Sequence, residues 1–214
     1  MTNSIRFRTL DDSTRGIHHH ITEDDKCLYL IEKTSGRDYS FSKANQLISN
    51  LKKKPSTSNS YEVTHKANAI RSSANAFRAA LNEKWLDIAT MVPVPGSKII
   101  GHPDYDDRMG RVCRLIRDNV DVRDLVKQTK SMNASHERNS GDRITLEELL
   151  ESYEIDENLT NPPPKQIGIF DDVLTAGTHY KAMHTILRAR FPDIIITGIF
   201  IARRIFPDDE ILDF

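Results

Sequence analysis

Asp171 and Asp172 stand side by side in the stretch Ile167–His179, IGIFDDVLTAGTH, with Thr175-Ala176-Gly177-Thr178 just downstream. Adjacent carboxylates accept hydrogen bonds from sugar hydroxyls, while threonine hydroxyls and the free amides of a glycine turn hold a phosphate. Acids and turn together suit a sugar phosphate. The elements that must position them are legible on either side. Ile167–Phe170 is an apolar, β-branched and aromatic run, which predicts a buried parallel strand. Met183, Ile186 and Leu187 recur at helical spacing and predict a helix after the turn. The acids then sit at the carboxyl end of a strand, where open α/β sheets bind ligands, and the turn sits at a helix N-terminus, where amides and the helix dipole favour an anion. The plain alternative is a buried strand and a capped helix with no ligand. It is disfavoured because paired acids at a strand end are costly unless something compensates them.

A second segment, Met91–Lys98 (MVPVPGSK), reads as a strand ending in a short turn. Gly96 lets backbone approach a ligand, Ser97 offers a hydroxyl, and Lys98 supplies a mobile positive charge for a phosphate. Taken alone, this is an ordinary strand-to-helix turn; its position ahead of the acid pair is what gives it weight. Thr129–Arg143 is polar and rich in turn formers, predicting a mobile loop that carries Lys130, His136, Arg138 and Arg143. His18-His19-His20 is expected to be a surface cluster, because successive strand side chains face opposite ways and cannot share one metal. His179 could bond a ligand phosphate or cover the helix start, and both remain open. Arg203-Arg204 ends a strand, where it could meet an acidic acceptor or form salt bridges.

Around these segments, strands are predicted at 4–10, 27–33, 88–94, 120–126 and 194–201. Helices are predicted after Ser42, through Ile70–Trp85, over Arg108–Arg117 and from Thr145, where Glu148 stands at capping-box spacing. Strands alternate with helices from residue 66 onward, which predicts an α/β core of residues 66–214 with a mainly parallel sheet. Residues 1–65 break the alternation and read as a hairpin and a helix forming an accessory, hood-like region. With 30 basic and 31 acidic residues the chain has a formal charge of −1, offering no broad footprint for nucleic acid. No apolar run reaches membrane-span length, and two cysteines build no disulfide framework, so a soluble cytoplasmic protein is expected.

Ile167–His179 closely resembles the phosphoribosyl pyrophosphate (PRPP) motif of type I phosphoribosyltransferases, departing only where His179 replaces a typically small residue. Pro93-Val94-Pro95 narrows the likeness to the ComF-like branch, where Arg108 matches an arginine that opens the next helix. Ser135-His136…Ser140…Arg143 is a distant echo of that branch's later loop. The branch's N-terminal zinc finger has no counterpart, since Cys27 is the single cysteine before residue 100. The likeness spans residues 88–204.

The resemblance implies a type I phosphoribosyltransferase-like twisted, mainly parallel sheet flanked by helices. It implies transfer of phosphoribosyl from PRPP to a nitrogen nucleophile, with release of pyrophosphate. Asp171 and Asp172 would hold the ribose hydroxyls, directly or through Mg²⁺; Thr175, Ala176, Gly177 and Thr178 the 5′-phosphate; Gly96, Ser97 and Lys98 the pyrophosphate. The flexible loop with His136, Arg138 and Arg143 would close over the substrate. A homodimer is suggested, and a protein partner through the N-terminal region is left open. Two rivals stand beside the enzyme: a PRPP- or nucleotide-sensing regulator, and a receiver- or phosphatase-like domain. The latter lacks the further acids and lysine it would need.

Overall fold

A computed structural model describes residues 5–131 and 144–207. In chain order the elements are β1 (Arg8–Thr9), α1 (Asp12–Arg15), β2 (Cys27–Thr34), α2 (Lys43–Leu51), α3 (Ser60–Ala80), α4 (Glu83–Leu86) and β3 (Ala89–Pro93). There follow α5 (Arg108–Arg114), β4 (Asp121–Val122), β5 (Val126–Gln128), α6 (Leu146–Ser152), β6 (Tyr153–Ile155), β7 (Gln166–Leu174), α7 (Thr178–Arg190) and β8 (Ile195–Ile205). Six strands form one sheet in the order β1-β2-β8-β7-β3-β4, parallel except for β1.

The layering follows from the handedness of parallel crossovers, which is right-handed almost without exception. From β2 to β3 and from β3 to β4 the chain crosses the sheet in one direction. From β4 to β7 and from β7 to β8 it crosses in the other. The helices must therefore fall on opposite faces, and they do. Ile70, Ala74 and Phe77 of α3 pack with Met109 and Val112 of α5 against Met91, Phe170 and Ile199. Met183 and Leu187 of α7 pack with Leu149 of α6 against Ile167, Ile169 and Ile196. β7 thus supplies both cores, Ile167, Ile169 and Leu174 to one and Phe170 and Val173 to the other, the mark of a strand covered on two faces.

The direction of winding reverses between β3 and β7. At such a switch point two neighbouring strands send their chains to opposite sides, leaving a crevice outside their carboxyl ends. On the β3 side, pairing ends at Pro93 opposite Phe170, and the Val94 N–H makes the last bond, to the Phe170 carbonyl at 2.9 Å. Pro95 has no N–H to continue the ladder. On the β8 side, β7 stays paired as far as Leu174 opposite Arg203. Asp171 and Asp172 therefore lie where β7 has lost one neighbour and kept the other.

The strand expected at 4–10 is only Arg8–Thr9 and the helix expected over Arg108–Arg117 ends at Arg114, and three expectations change in more than their ends. The helix predicted through Trp85 breaks at Leu81, which is extended, because Asn82 caps α4 by accepting the Lys84 N–H at 2.8 Å. The strand predicted at 120–126 divides, since Val120 and Val122 pack into one core and Leu125 and Val126 into the other. β4 pairs with β3, and β5 with β6 in a separate two-stranded sheet. Within residues 1–65, β1 pairs antiparallel with β2 as a hairpin would, but β2 also pairs with β8 from Cys27 to Thr34 and so belongs to the main sheet. Among the described residues, no helix is long and apolar enough to cross a membrane.

Candidate functional site

A cavity of about 450 Å³ occupies the switch point. Asp171, Asp172, Thr175, Ala176 and Thr178 line one part of its wall, and Gly96, Ser97 and Lys98 another. Gly177 does not line the cavity; it makes the turn, with φ of +90°, and stands as the N-cap of α7 without a side chain to occupy the helix's first amides. A Cβ at this position would also lie 2.6 Å from Ile21 Cδ1. Gly96 is required by close approach, since a Cβ there would lie 2.8 Å from the Asp106 carbonyl oxygen. The Gly96–Lys98 loop is held from the far side, where Gln128 Nε2 donates to the Ser97 carbonyl at 3.1 Å and the Ile99 N–H donates to Ser131 Oγ at 3.2 Å.

The acid pair is compensated from distant parts of the chain. Arg108 donates to Asp172 Oδ2 from Nε at 2.9 Å and from Nη2 at 2.6 Å, and from Nη1 to Asp106 Oδ2 at 2.9 Å. Lys66, only 7 % exposed, reaches the same Asp106 oxygen at 2.6 Å, and Lys52 lies 3.2 Å from Asp172 Oδ1. Charges alternate along this row: Lys66, Asp106, Arg108, Asp172, Lys52. The two cations hold Asp172 well below the usual carboxylate range although it is 2 % exposed. Among the described residues no cation bonds Asp171, and Lys52 and Arg108 lower its carboxyl only from a distance. Burial in the wall and the charge of Asp172 push its carboxyl up to about 7, while its Oδ1 accepts the Asp172 N–H at 2.7 Å. The two acids thus differ: Asp172 anchors cations, and Asp171 lines the cavity, where a carboxylate can accept from a hydroxyl.

The Thr175–Thr178 turn has a buttress that sequence reading placed elsewhere. His18 is fully buried rather than on the surface, and its Nδ1 bonds the Thr175 carbonyl. The His20 N–H donates to the Ala176 carbonyl at 2.9 Å. His19 alone of the three is exposed. Strand alternation does not govern residues 18–20, which form no strand; they are a loop lying along the turn. His179 is half-buried at the start of α7, where Nδ1 meets the Tyr153 hydroxyl at 2.9 Å, and burial, then Lys52, push it down to about 4. Arg203 is salt-bridged to Glu32 at 2.6 Å, whereas Arg204 lines the cavity.

Sequence reading missed Lys52, Lys66, Asp106 and His18 as parts of this site and used Arg108 only through a family likeness. Lys52 carried one signal, a basic cluster at a helix end, which the C-terminus of α2 explained equally well. His136, Arg138 and Arg143 lie outside the described residues. No protein-family model matches the chain, and no curated protein matches its sequence.

For a divalent cation the test is the donor set. Among the described residues no group of three or more metal-type side chains comes together. Mg²⁺ asks less than that, since one or two carboxylates with substrate phosphates and waters complete its octahedron. Asp171 offers a carboxylate on the cavity wall, while both Asp172 oxygens are engaged by cations. The residues fit Mg²⁺ that arrives on a polyphosphate ligand and takes its protein contact from Asp171.

Proposed function

We propose that this protein is a phosphoribosyltransferase-like protein. In this reading it binds PRPP with Mg²⁺ and transfers the phosphoribosyl group to a nitrogen nucleophile, releasing pyrophosphate. One observation carries the reading: the Thr175–Thr178 turn, the acid pair and the Gly96–Lys98 loop, separate in sequence, line one cavity at the point where the winding reverses. A ligand with a phosphate at one end, a diol between and a polyphosphate at the other matches that order of partners.

The chemistry follows from the placement. The amides at the start of α7 and the Thr175 and Thr178 hydroxyls hold the 5′-phosphate. Asp171 accepts from the ribose hydroxyls and fixes the ring. Ser97, Lys98 and the Gly96 amide receive the pyrophosphate on the β3 side, with Arg108 and Lys52 adding positive charge beside it. Mg²⁺, when bound, neutralises pyrophosphate charge. Substitution at the anomeric carbon has oxocarbenium character, so holding the ring and stabilising the departing anion lower its barrier without a strong base. The nucleophile then approaches from the β8 side, past Arg204 and Ser35.

A PRPP- or nucleotide-sensing regulator is the second reading. The observation that favours it is the direct link between residues 18–21 and the phosphate turn, which gives ligand state a route to the N-terminal region. Calorimetric titration with PRPP and Mg²⁺, with ribose 5-phosphate as control, tests the site. Mg²⁺-dependent PRPP binding that is lost in the Asp171→Asn/Asp172→Asn double variant is expected; unchanged affinity in that variant would overturn the assignment. Release of pyrophosphate with a panel of bases and amines then separates transferase from sensor.

A further inference from the structure

We infer that His18 is a positioning residue for the phosphate turn, fixing the direction of its amides through the Thr175 carbonyl. The role rests on the sugar-phosphate reading above and extends it to a residue outside the motif.

A trans peptide is planar, so its N–H points opposite to its C=O. The Thr175 carbonyl shares its peptide plane with the Ala176 N–H, and the Ala176 carbonyl with the Gly177 N–H. Both carbonyls are drawn to one side, the first by His18 Nδ1 and the second by the His20 N–H. The two amides must then face the other way, toward the side on which Thr175, Ala176 and Thr178 line the cavity. Without that restraint the peptide planes could flip and present carbonyl oxygens to an anionic ligand.

The histidine is also costly where it stands. A carbonyl only accepts, so Nδ1 carries the proton, and Nε2 is left buried with no hydrogen-bond partner among the described residues. An apolar side chain would fill a fully buried position without an unsatisfied nitrogen. The bond to Thr175 is what distinguishes histidine from such a residue. The segment that carries it is firmly fixed. Its His18 and Ile21 amides bond the Arg15 and His18 carbonyls at 2.8 Å, and Ile21 packs under Gly177. Asp25 then ties Thr22 to Lys181 of α7, accepting from the Thr22 N–H and from Lys181 Nζ at 2.8 Å each.

The test compares two amides of similar polarity in the full chain, His18→Asn and His18→Gln. Asparagine can place its N–H where Nδ1 stood; glutamine cannot. Ribose 5-phosphate and pyrophosphate are titrated separately, alongside the thermal midpoint. The Asn variant is expected to bind ribose 5-phosphate within about threefold of wild type and the Gln variant about tenfold more weakly, a loss on the scale of one hydrogen bond. Pyrophosphate affinity should be equal in both. Equal ribose 5-phosphate affinity in the two variants, or a parallel fall for both ligands, would overturn the role. If neither variant folds, the wild-type protein still decides: adding ribose 5-phosphate should move the Ala176 and Gly177 amide resonances downfield, and unmoved resonances overturn it. Wild-type protein that binds no ribose 5-phosphate and no PRPP removes the underlying site instead, so the two failures are distinguishable.

Discussion

Arg108 shows how a buried acid pair is tolerated at the end of a strand. It bridges Asp106 and Asp172, and removing it would leave two carboxylates short of a cation in a poorly solvated place. Breaking one side of a buried pair costs about 3–5 kcal/mol. Arg108→Met should therefore lose about 3 kcal/mol in urea unfolding. Arg108→Lys should lose less in charge but forfeit the two-pronged contact to Asp172. A Met variant as stable as wild type would show that the row of charges does not support the fold. Asp171 makes a second prediction, with a definite sign. Its folded pKa is raised, so the folded state holds a proton that the unfolded chain releases, and stability is lost as pH rises from 3.8 to about 7, levelling off above that. Asp171→Asn should thus gain stability over wild type as pH rises from 5 to 8. The gain should be roughly 1–2 kcal/mol, discounted because the side chain lines the cavity rather than the core. His179 works in the opposite sense: its folded pKa is depressed, so its contribution is lost as pH falls from 6.5 toward about 4. Because both proteins carry it, the wild-type-minus-variant difference in melting curves isolates Asp171. A difference flat from pH 5 to 8 would refute the assignment.

At the scale of elements, the turn before α7 depends on Gly177 for two separate reasons, its left-handed backbone and the Ile21 side chain where a Cβ would go. Gly177→Ala should cost about 2 kcal/mol or more, since the left-handed conformation alone costs about 1–2 kcal/mol, and should weaken ribose 5-phosphate binding. Gly16→Ala is the control: φ there is −52° and nothing lies within 4 Å of its Cβ, so little change is expected. Equal melting temperatures for the two variants would mean that the turn is not built as described. These elements differ in how far the sequence reveals them. β7 was legible because an apolar run must be covered on both faces, and α6 because Thr145 and Glu148 form a capping box within four residues. Such signals are local. The break at Leu81–Asn82 was hidden because the hydrophobic spacing continues across it while one asparagine cap decides otherwise. β2 read as an accessory strand because nothing in CLYLIEKT says that Cys27–Thr34 will lie beside β8. The acids and the turn were visible as motifs, but their partners were not. His18 meets Thr175 across 157 residues and Arg108 meets Asp172 across 64, separations at which periodicity carries no information.

For the whole molecule, the proposed function assigns one half-site to the end of β3 and another to the end of β7, so binding at the two can be read separately. A ligand that binds only the folded state stabilises it by about 2.7 kcal/mol at a hundred times its Kd. For a chain of 214 residues that is a rise in thermal midpoint of roughly 5–10 °C. On that proposal PRPP with Mg²⁺ would span both half-sites and should give the largest rise. Ribose 5-phosphate and pyrophosphate would each engage one and should give less. Lys98→Ala should then diminish the pyrophosphate and PRPP shifts and spare that of ribose 5-phosphate, because Lys98 belongs to the loop after β3. Thr178→Ala should do the reverse, because its hydroxyl stands at the turn after β7. The pattern is crossed, so a general loss of stability cannot imitate it: a merely weakened fold would lower the baseline midpoint and leave every ligand's increment in proportion. Equal loss for both fragments in both variants would mean that the cavity is one undivided anion site, and the assignment of phosphate to one strand end and pyrophosphate to the other would fall. Raising the salt concentration should shrink the shifts for all three anions, and most for PRPP, which places the most charge among Lys52, Lys98, Arg108 and Arg204.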